Sequence, residues 1–132
     1  MDHIISSPYN RAILTVQELA NRLQKKIMIE EDLKERVFSI DKNQITESKL
    51  VDLLIRSFSE PTYSLQGAES NQECQNRGIR SLINILHKYK GEKIVIASHG
   101  MMITSLLNYF NPIFDLDFLL KMNKPAVFSV EV

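Results

Sequence analysis

Lys93-Ile94-Val95-Ile96-Ala97-Ser98-His99-Gly100 carries the clearest structural signal in the chain. Ile94-Val95-Ile96-Ala97 is a short, largely β-branched apolar run, the mark of a strand buried on both faces in a parallel sheet. Gly91 stops the helix before it, and Met101–Phe110 reads as a helix after it. His99 therefore falls where a buried strand ends and a helix begins, and in open α/β sheets that edge is where ligands bind. The start of a helix offers unpaired N–H groups and a positive dipole end to an anion, and Gly100 lets the backbone approach one closely. Taken alone, the stretch fits equally well a histidine that merely hydrogen-bonds a neighbouring loop.

Working outward from it, strands alternate with amphipathic helices. Ile4-Ile5-Ser6-Ser7 is a brief strand followed by Pro8. Ser7 can cap the next helix and Pro8 suits its first position. Ala12, Ile13, Val16, Leu19, Ala20 and Leu23 then recur at helical spacing. Arg11 lies in the first turn, where a cation opposes the helix dipole and a bound anion would relieve it; in isolation it reads as a solvated arginine. Ile27-Met28-Ile29 is another short strand, and Glu30–Phe38 reads as exposed surface followed by a loop over 39–45. Thr46 caps a helix running to about Phe58, with Leu50, Val51, Leu53, Leu54, Ile55 and Phe58 on its buried face.

Ser70-Asn71-Gln72-Glu73 is a capping box. Glu73 and Arg77 stand in the favourable i,i+4 order. Cys74, Ile79, Leu82, Ile83, Leu86 and Tyr89 supply a core stripe, so Cys74 fits a small core residue better than a nucleophile. His3 and His87 read as ordinary surface. After Asn111-Pro112 the apolar-rich Phe114–Met122 is read as a short helix with a connecting turn, and the chain stops within the alternating run Val127–Val132. The expected fold is an α/β three-layer sandwich in which helices flank a mostly parallel sheet, built as a single domain over residues 1–132.

Lysine plus arginine count 16 and aspartate plus glutamate count 16. That balance gives no electrostatic case for nucleic acid or an anionic membrane, so affinity for phosphate must come from a local cluster. One cysteine excludes an internal disulfide, and three scattered histidines have no metal-ligand spacing. No apolar run approaches the roughly 20 residues of a membrane span and no signal-peptide pattern opens the chain. A cytoplasmic protein without metal or cofactor is expected.

Four segments in order resemble the histidine phosphatase, or phosphoglycerate mutase-like, superfamily. Ser6-Ser7-Pro8-Tyr9-Asn10-Arg11-Ala12 is similar to its S-S-P-x-x-R-A segment, and Leu33-Lys34-Glu35-Arg36 to its L-x-E-R segment. Gly67-Ala68-Glu69-Ser70, with Arg77 further on, is close to its G-E-S…R helix start, and Ile94–Gly100 matches its V-x-S-H-G strand. The resemblance implies that Arg11 and His99 bind phosphate, helped by the backbone at Gly100, and that Glu35 protonates the leaving group. Glu69, with Ser70 beside it, is the reserve acid or ligand, since the glycine and aromatic-Glu-Gly element expected after Glu35 is replaced by Ser39-Ile40-Asp41. The chemistry suits these residue types, because phosphoryl transfer is largely positioning and charge stabilisation and arginine is a bidentate phosphate fork.

The superfamily's nucleophile is the histidine of an R-H-G motif on a first strand, and this chain contains no Arg-His-Gly. His3 cannot replace it, being on the wrong strand and without a preceding arginine. By resemblance the missing strand lies beside the one that carries His99, and the domain is N-terminally incomplete. A fragment of a longer protein and an interrupted gene product are favoured over a remnant with another role. The functional expectation is a phosphatase acting on a small phosphomonoester through a phosphohistidine formed outside this chain. A phosphoglycerate mutase and a non-catalytic phosphate-binding or interaction module are the alternatives; a serine hydrolase using Ser98 is distant, for want of a G-x-S-x-G elbow. The expected partners are a phosphorylated small molecule or inorganic phosphate, and the broken sheet would encourage self-association or docking of the missing N-terminal segment.

Overall fold

The computed structural model describes residues 1–40, 45–123 and 129. Among these residues three strands, β1 (His3–Ser6), β2 (Ile27–Ile29) and β3 (Ile94–Ala97), form one sheet in the order β2-β1-β3. Both pairings are parallel, with Ile4 level with Ile27 on one side and Val95 on the other. Among the described residues the helices are α1 (Asn10–Leu23), α2 (Glu47–Ser59), α3 (Asn71–Lys88), α4 (Gly100–Phe110) and α5 (Leu116–Lys121), with a 3-10 turn at Glu31–Leu33.

Alternation along β1 divides the core. Ile4 faces α1 and packs with Ala12, Val16, Ala20 and Ala97. Its neighbour Ile5 faces the opposite layer, with Leu33, Cys74, Ile79, Ile85, Met102 and Leu106. Side chains of successive strand residues point to opposite faces, so this two-sided burial makes β1 the centre of a three-layer α/β/α sandwich. Layers α3 and α4 meet closely at Gly78, where an added Cβ would overlap Met102 Sδ.

Several local expectations need correction. Helix α1 begins at Asn10 with Tyr9 as N-cap, two residues later than a Ser7 cap implies, because Ser7 is engaged elsewhere. Residues Ile94, Val95 and Ile96 are half-buried, not buried on both faces, since among the described residues β3 pairs with β1 alone. On α2, Val51 and Ile55 are exposed while Leu53, Leu54 and Ser57 are buried. On α3 the buried stripe runs through Ile85, and Ile83 faces out. The segment after β2 is not plain surface either, because Leu33 and Arg36 are buried.

The capping box at Ser70 is formed in both directions, with Ser70 Oγ accepting from Glu73 N–H and Glu73 Oε1 accepting from Ser70 N–H. Thr46 likewise caps α2. The alternating run Val127–Val132 lies outside the described residues, Ser129 apart, as do Asp41–Gln44 of the 39–45 loop.

Candidate active site

Parallel pairing of β1 with β3 brings two chain reversals side by side. Ser6 is level with Ala97, and Ser7 N–H donates to Ala97 carbonyl at 2.9 Å. Beyond that bond each strand turns into a helix, β1 through Ser7-Pro8-Tyr9 into α1 and β3 through Ser98-His99 into α4. The N-termini of both helices therefore converge on one edge of the sheet, at the carboxyl ends of its strands.

His99, the N-cap of α4, is 8% exposed and its Nε2 lies 2.7 Å from Ser7 Oγ. Ser7, wholly buried, also accepts from Tyr9 N–H at 3.1 Å, so its hydroxyl both fixes the turn and orients the imidazole. The Tyr9 ring leans on the imidazole with centroids 5.2 Å apart and stays 42% exposed on its other side. Arg11, in the first turn of α1, is exposed, and its guanidinium makes no hydrogen bond or ion pair among the described residues. No acidic residue stands in the first turn of either α1 or α4.

The N-terminus of α4 is nevertheless supplied with an anion. Glu35 reaches across from the 3-10 turn, and its Oε2 accepts from Met101 N–H at 3.1 Å while Oε1 accepts from Met102 N–H at 3.0 Å. Oε1 also accepts from Arg36 N–H at 2.9 Å. A carboxylate so placed satisfies two of the four orphan donors of the helix and complements its dipole. Of the two converging helix ends, α4 thus meets the protein's own carboxylate, while α1 carries Arg11 and no acidic residue in its first turn.

Glu69 and Ser70, the reserve residues, are committed to other partners. Both Glu69 oxygens pair with Arg77, at 2.8 and 2.9 Å, and Oε1 accepts from Val37 N–H. The Glu73–Arg77 pair expected from helical spacing is not formed, because the capping box holds Glu73. Burial pulls the Arg77 guanidinium down, but the hydrogen bond and charge of Glu69 outweigh it and hold it above the ordinary arginine value. Arg36 is 3% exposed; it donates to Glu69 carbonyl, Ser57 Oγ and Asn71 Oδ1 and lies over the Phe38 ring. Burial lowers its guanidinium, with the charges of Cys74 and Glu69 opposing.

Sequence reasoning named Arg11, His99, Gly100 and Glu35, and the fold gathers them around the α1 and α4 ends. It missed Ser7 as the partner of His99, though the parallel register of two equally short strands is the signal that would have placed them together. It also missed Tyr9 as a wall of the site. Among the described residues, no group of three or more His, Cys, Asp or Glu side chains could hold a metal ion, and no helix is long and apolar enough to cross a membrane. An open groove of about 660 Å³ runs along α3 past Glu69, Arg77 and Tyr109, but His99 and Arg11 take no part in it.

Comparison with known proteins identifies the family and the fold. The family model of the histidine phosphatase superfamily (branch 1) matches residues 1–129. Phosphoglycerate mutase-like protein 4 of Arabidopsis thaliana is 30% identical over 118 residues, covering 85% of this chain and 51% of that protein. Among solved structures, YhfR of Bacillus stearothermophilus is similar with a TM-score of 0.71 at 22% identity, over 93% of this chain and 62% of that one. A mutant phosphoserine phosphatase of Entamoeba histolytica, solved with phosphoserine, gives 0.68 at 20% identity, over 92% and 62%. The mycobacterial glucosyl-3-phosphoglycerate phosphatase gives 0.64 at 22% identity, over 81% and 57%. The chain spans about half the length of the curated relative it matches.

Proposed function

The chain belongs to the histidine phosphatase superfamily, and from that premise we propose that it carries the phosphate-binding portion of a phosphomonoesterase. The observation that carries the reading is the buried His99 imidazole, oriented by Ser7 Oγ, beside an α1 N-terminus whose Arg11 side chain pairs with none of the described residues. A phosphoryl group held there meets an arginine fork, an imidazole donor and backbone N–H groups, which between them stabilise charge on its equatorial oxygens. In the proposed reaction a histidine nitrogen from outside this chain attacks phosphorus, and the ester P–O bond breaks. The departing alkoxide takes a proton from Glu35, and water then releases phosphate from the phosphohistidine. The sequence contains no Arg-His-Gly nucleophile motif, which is why that step is assigned elsewhere.

Hydrolysis is preferred to mutase action because the short interval between Glu35 and Gly67 leaves little room for the longer insertions of glycolytic mutases. The phosphatase names borne by several similar structures support the same choice. One observation favours a second reading, a phosphate-binding module without turnover: both Glu35 oxygens already accept hydrogen bonds, three in all, an arrangement suited to a cap as much as to an acid.

Calorimetry with inorganic phosphate and with vanadate, on the chain and its Arg11→Ala and His99→Ala variants, tests the shared core of both readings. Binding that weakens tenfold or more in each variant is expected; the absence of binding by the parent chain would sink both. Aryl phosphate hydrolysis, measured after an Arg-His-Gly strand is supplied and lost in His99→Ala, separates the enzyme from the module.

A further inference from the structure

We propose that Arg77 is a positioning residue for Glu35, holding the backbone of residues 32–35 so that the Glu35 carboxylate is seated on the first turn of α4. Arg77 sits on α3, 9% exposed, and does not touch the His99 cluster directly. Its Nη1 donates to Asp32 carbonyl at 2.6 Å and to Lys34 carbonyl at 3.0 Å, and Nη2 to Glu35 carbonyl at 3.5 Å. Nε and Nη2 donate to the two oxygens of Glu69. The remaining carbonyl of the run, Leu33, accepts from Ser98 Oγ at 2.6 Å, immediately before His99.

Every carbonyl from 32 to 35 is therefore held, three of them by one guanidinium. Such a run leaves the 3-10 turn in an irregular path, with no ladder to fix it. A planar guanidinium has five N–H donors in a rigid fork, and here they serve three carbonyls, one carboxylate and, at 3.8 Å, Cys74 Sγ. Glu69 fixes the rotation of the fork, and the fork fixes the turn. The Glu35 side chain then leaves on the far side and meets Met101 and Met102 N–H. A lysine at 77 keeps the charge but brings three donors on a flexible stem, so it cannot hold the same set of carbonyls in one geometry. The inference depends on the phosphatase reading only for what Glu35 does once seated.

Amide hydrogen exchange reads the seat without needing turnover. The first N–H groups of a helix have no intrahelical acceptor, so protection at Met101 and Met102 reports the Glu35 carboxylate, whereas Ile103 N–H is bonded to His99 carbonyl at 2.8 Å and serves as an internal control. In Arg77→Lys, exchange at Met101 and Met102 is expected to quicken tenfold or more, as in Glu35→Ala, which removes both acceptors, with Ile103 within about twofold of the parent. Unchanged protection at Met101 and Met102 in a folded Arg77→Lys protein overturns the proposal, as does a lack of protection in the parent. Should Arg77→Lys fail to fold, Glu69→Gln releases the fork from its orienting carboxylate while leaving the carbonyls in reach. A threefold or greater quickening there supports the proposal, and none overturns it. In a chain that hydrolyses aryl phosphate, Arg77→Lys lowers kcat and leaves KM within about twofold. A parent with protected Met101 and Met102 but no turnover refutes the enzyme reading and not the positioning of Glu35.

Discussion

Replacing Glu35 by glutamine tests whether the carboxylate holds α4 by charge and geometry together. Glutamine keeps one acceptor oxygen, which can serve Arg36 and Met102 N–H, the two donors now shared by Oε1. Its amide nitrogen then faces Met101 N–H, donor against donor. The lost bond is one to a charged acceptor, worth about 1.5–3 kcal/mol. The lost charge at a partly buried helix N-terminus adds about 0.3–1 kcal/mol. No other acidic side chain stands in the first turn of α4 to compensate. The sum is about 2–4 kcal/mol, read by urea denaturation as a lower midpoint with an unchanged slope. For a chain of this size it is about 10 °C in Tm. A loss below about 0.5 kcal/mol would refute the reasoning, because the Met101 bond and the carboxylate charge would then be incidental to stability.

Two further substitutions probe the packing around the site. At Gly78 an alanine Cβ would overlap Met102 Sδ and lie 3.0 Å from Leu106 Cδ2; the overpacking cost of about 1–3 kcal/mol exceeds the gain of about 1 kcal/mol in helix propensity, so Gly78→Ala lowers stability in thermal melts rather than raising it. Burial, aided by the charge of Glu69, pushes the Cys74 thiol up to about 12 from an ordinary 9.0. The native thiol is expected to resist aromatic disulfide reagents at pH 8 and react only on unfolding. The unfolded chain sheds that proton first, so stability falls as pH rises from about 9 to about 12, a slope that Cys74→Ala removes.

Much of the architecture was legible because its signals are local. The β-branched run at Ile94, the Ser70–Glu73 box and the apolar spacing of α1 each declare an element within one or two turns of chain. The position of Cys74 in the core followed from its spacing alone. The rest depended on competition between partners. Arg77 stands one helical turn from Glu73, yet pairs with Glu69, because the cap of α3 has already claimed Glu73. The charged segment after β2 reads as surface by composition, but Arg36 is drawn inside by Glu69 carbonyl, Ser57 and Asn71, none of them near it in sequence.

The candidate site divides in the same way. Arg11 and His99 were found by type and motif, and the fold brings their helix ends together. The destination of Glu35 was not legible, since its acceptor role depends on α4 lying within reach of a turn more than sixty residues earlier. Two donors at the start of α4 are met by Glu35 itself, a partner that no local signal in the sequence announces.

The junction between β1 and β3 also sets an order of events during folding. Strands β1 and β2 are joined through a single helix, and their pairing can form from a short nascent chain. Ser7 and His99, by contrast, are 92 residues apart. Closing the longer loop costs on the order of 1 kcal/mol more in chain entropy, and non-local pairings of this kind are slow to form. A ribosome-bound chain that has not yet exposed α4 can therefore hold the β1–β2 pair and α1, but no histidine pocket. The Ser7–His99 contact forms only once the sheet closes, and its appearance during refolding is a clock for that closure.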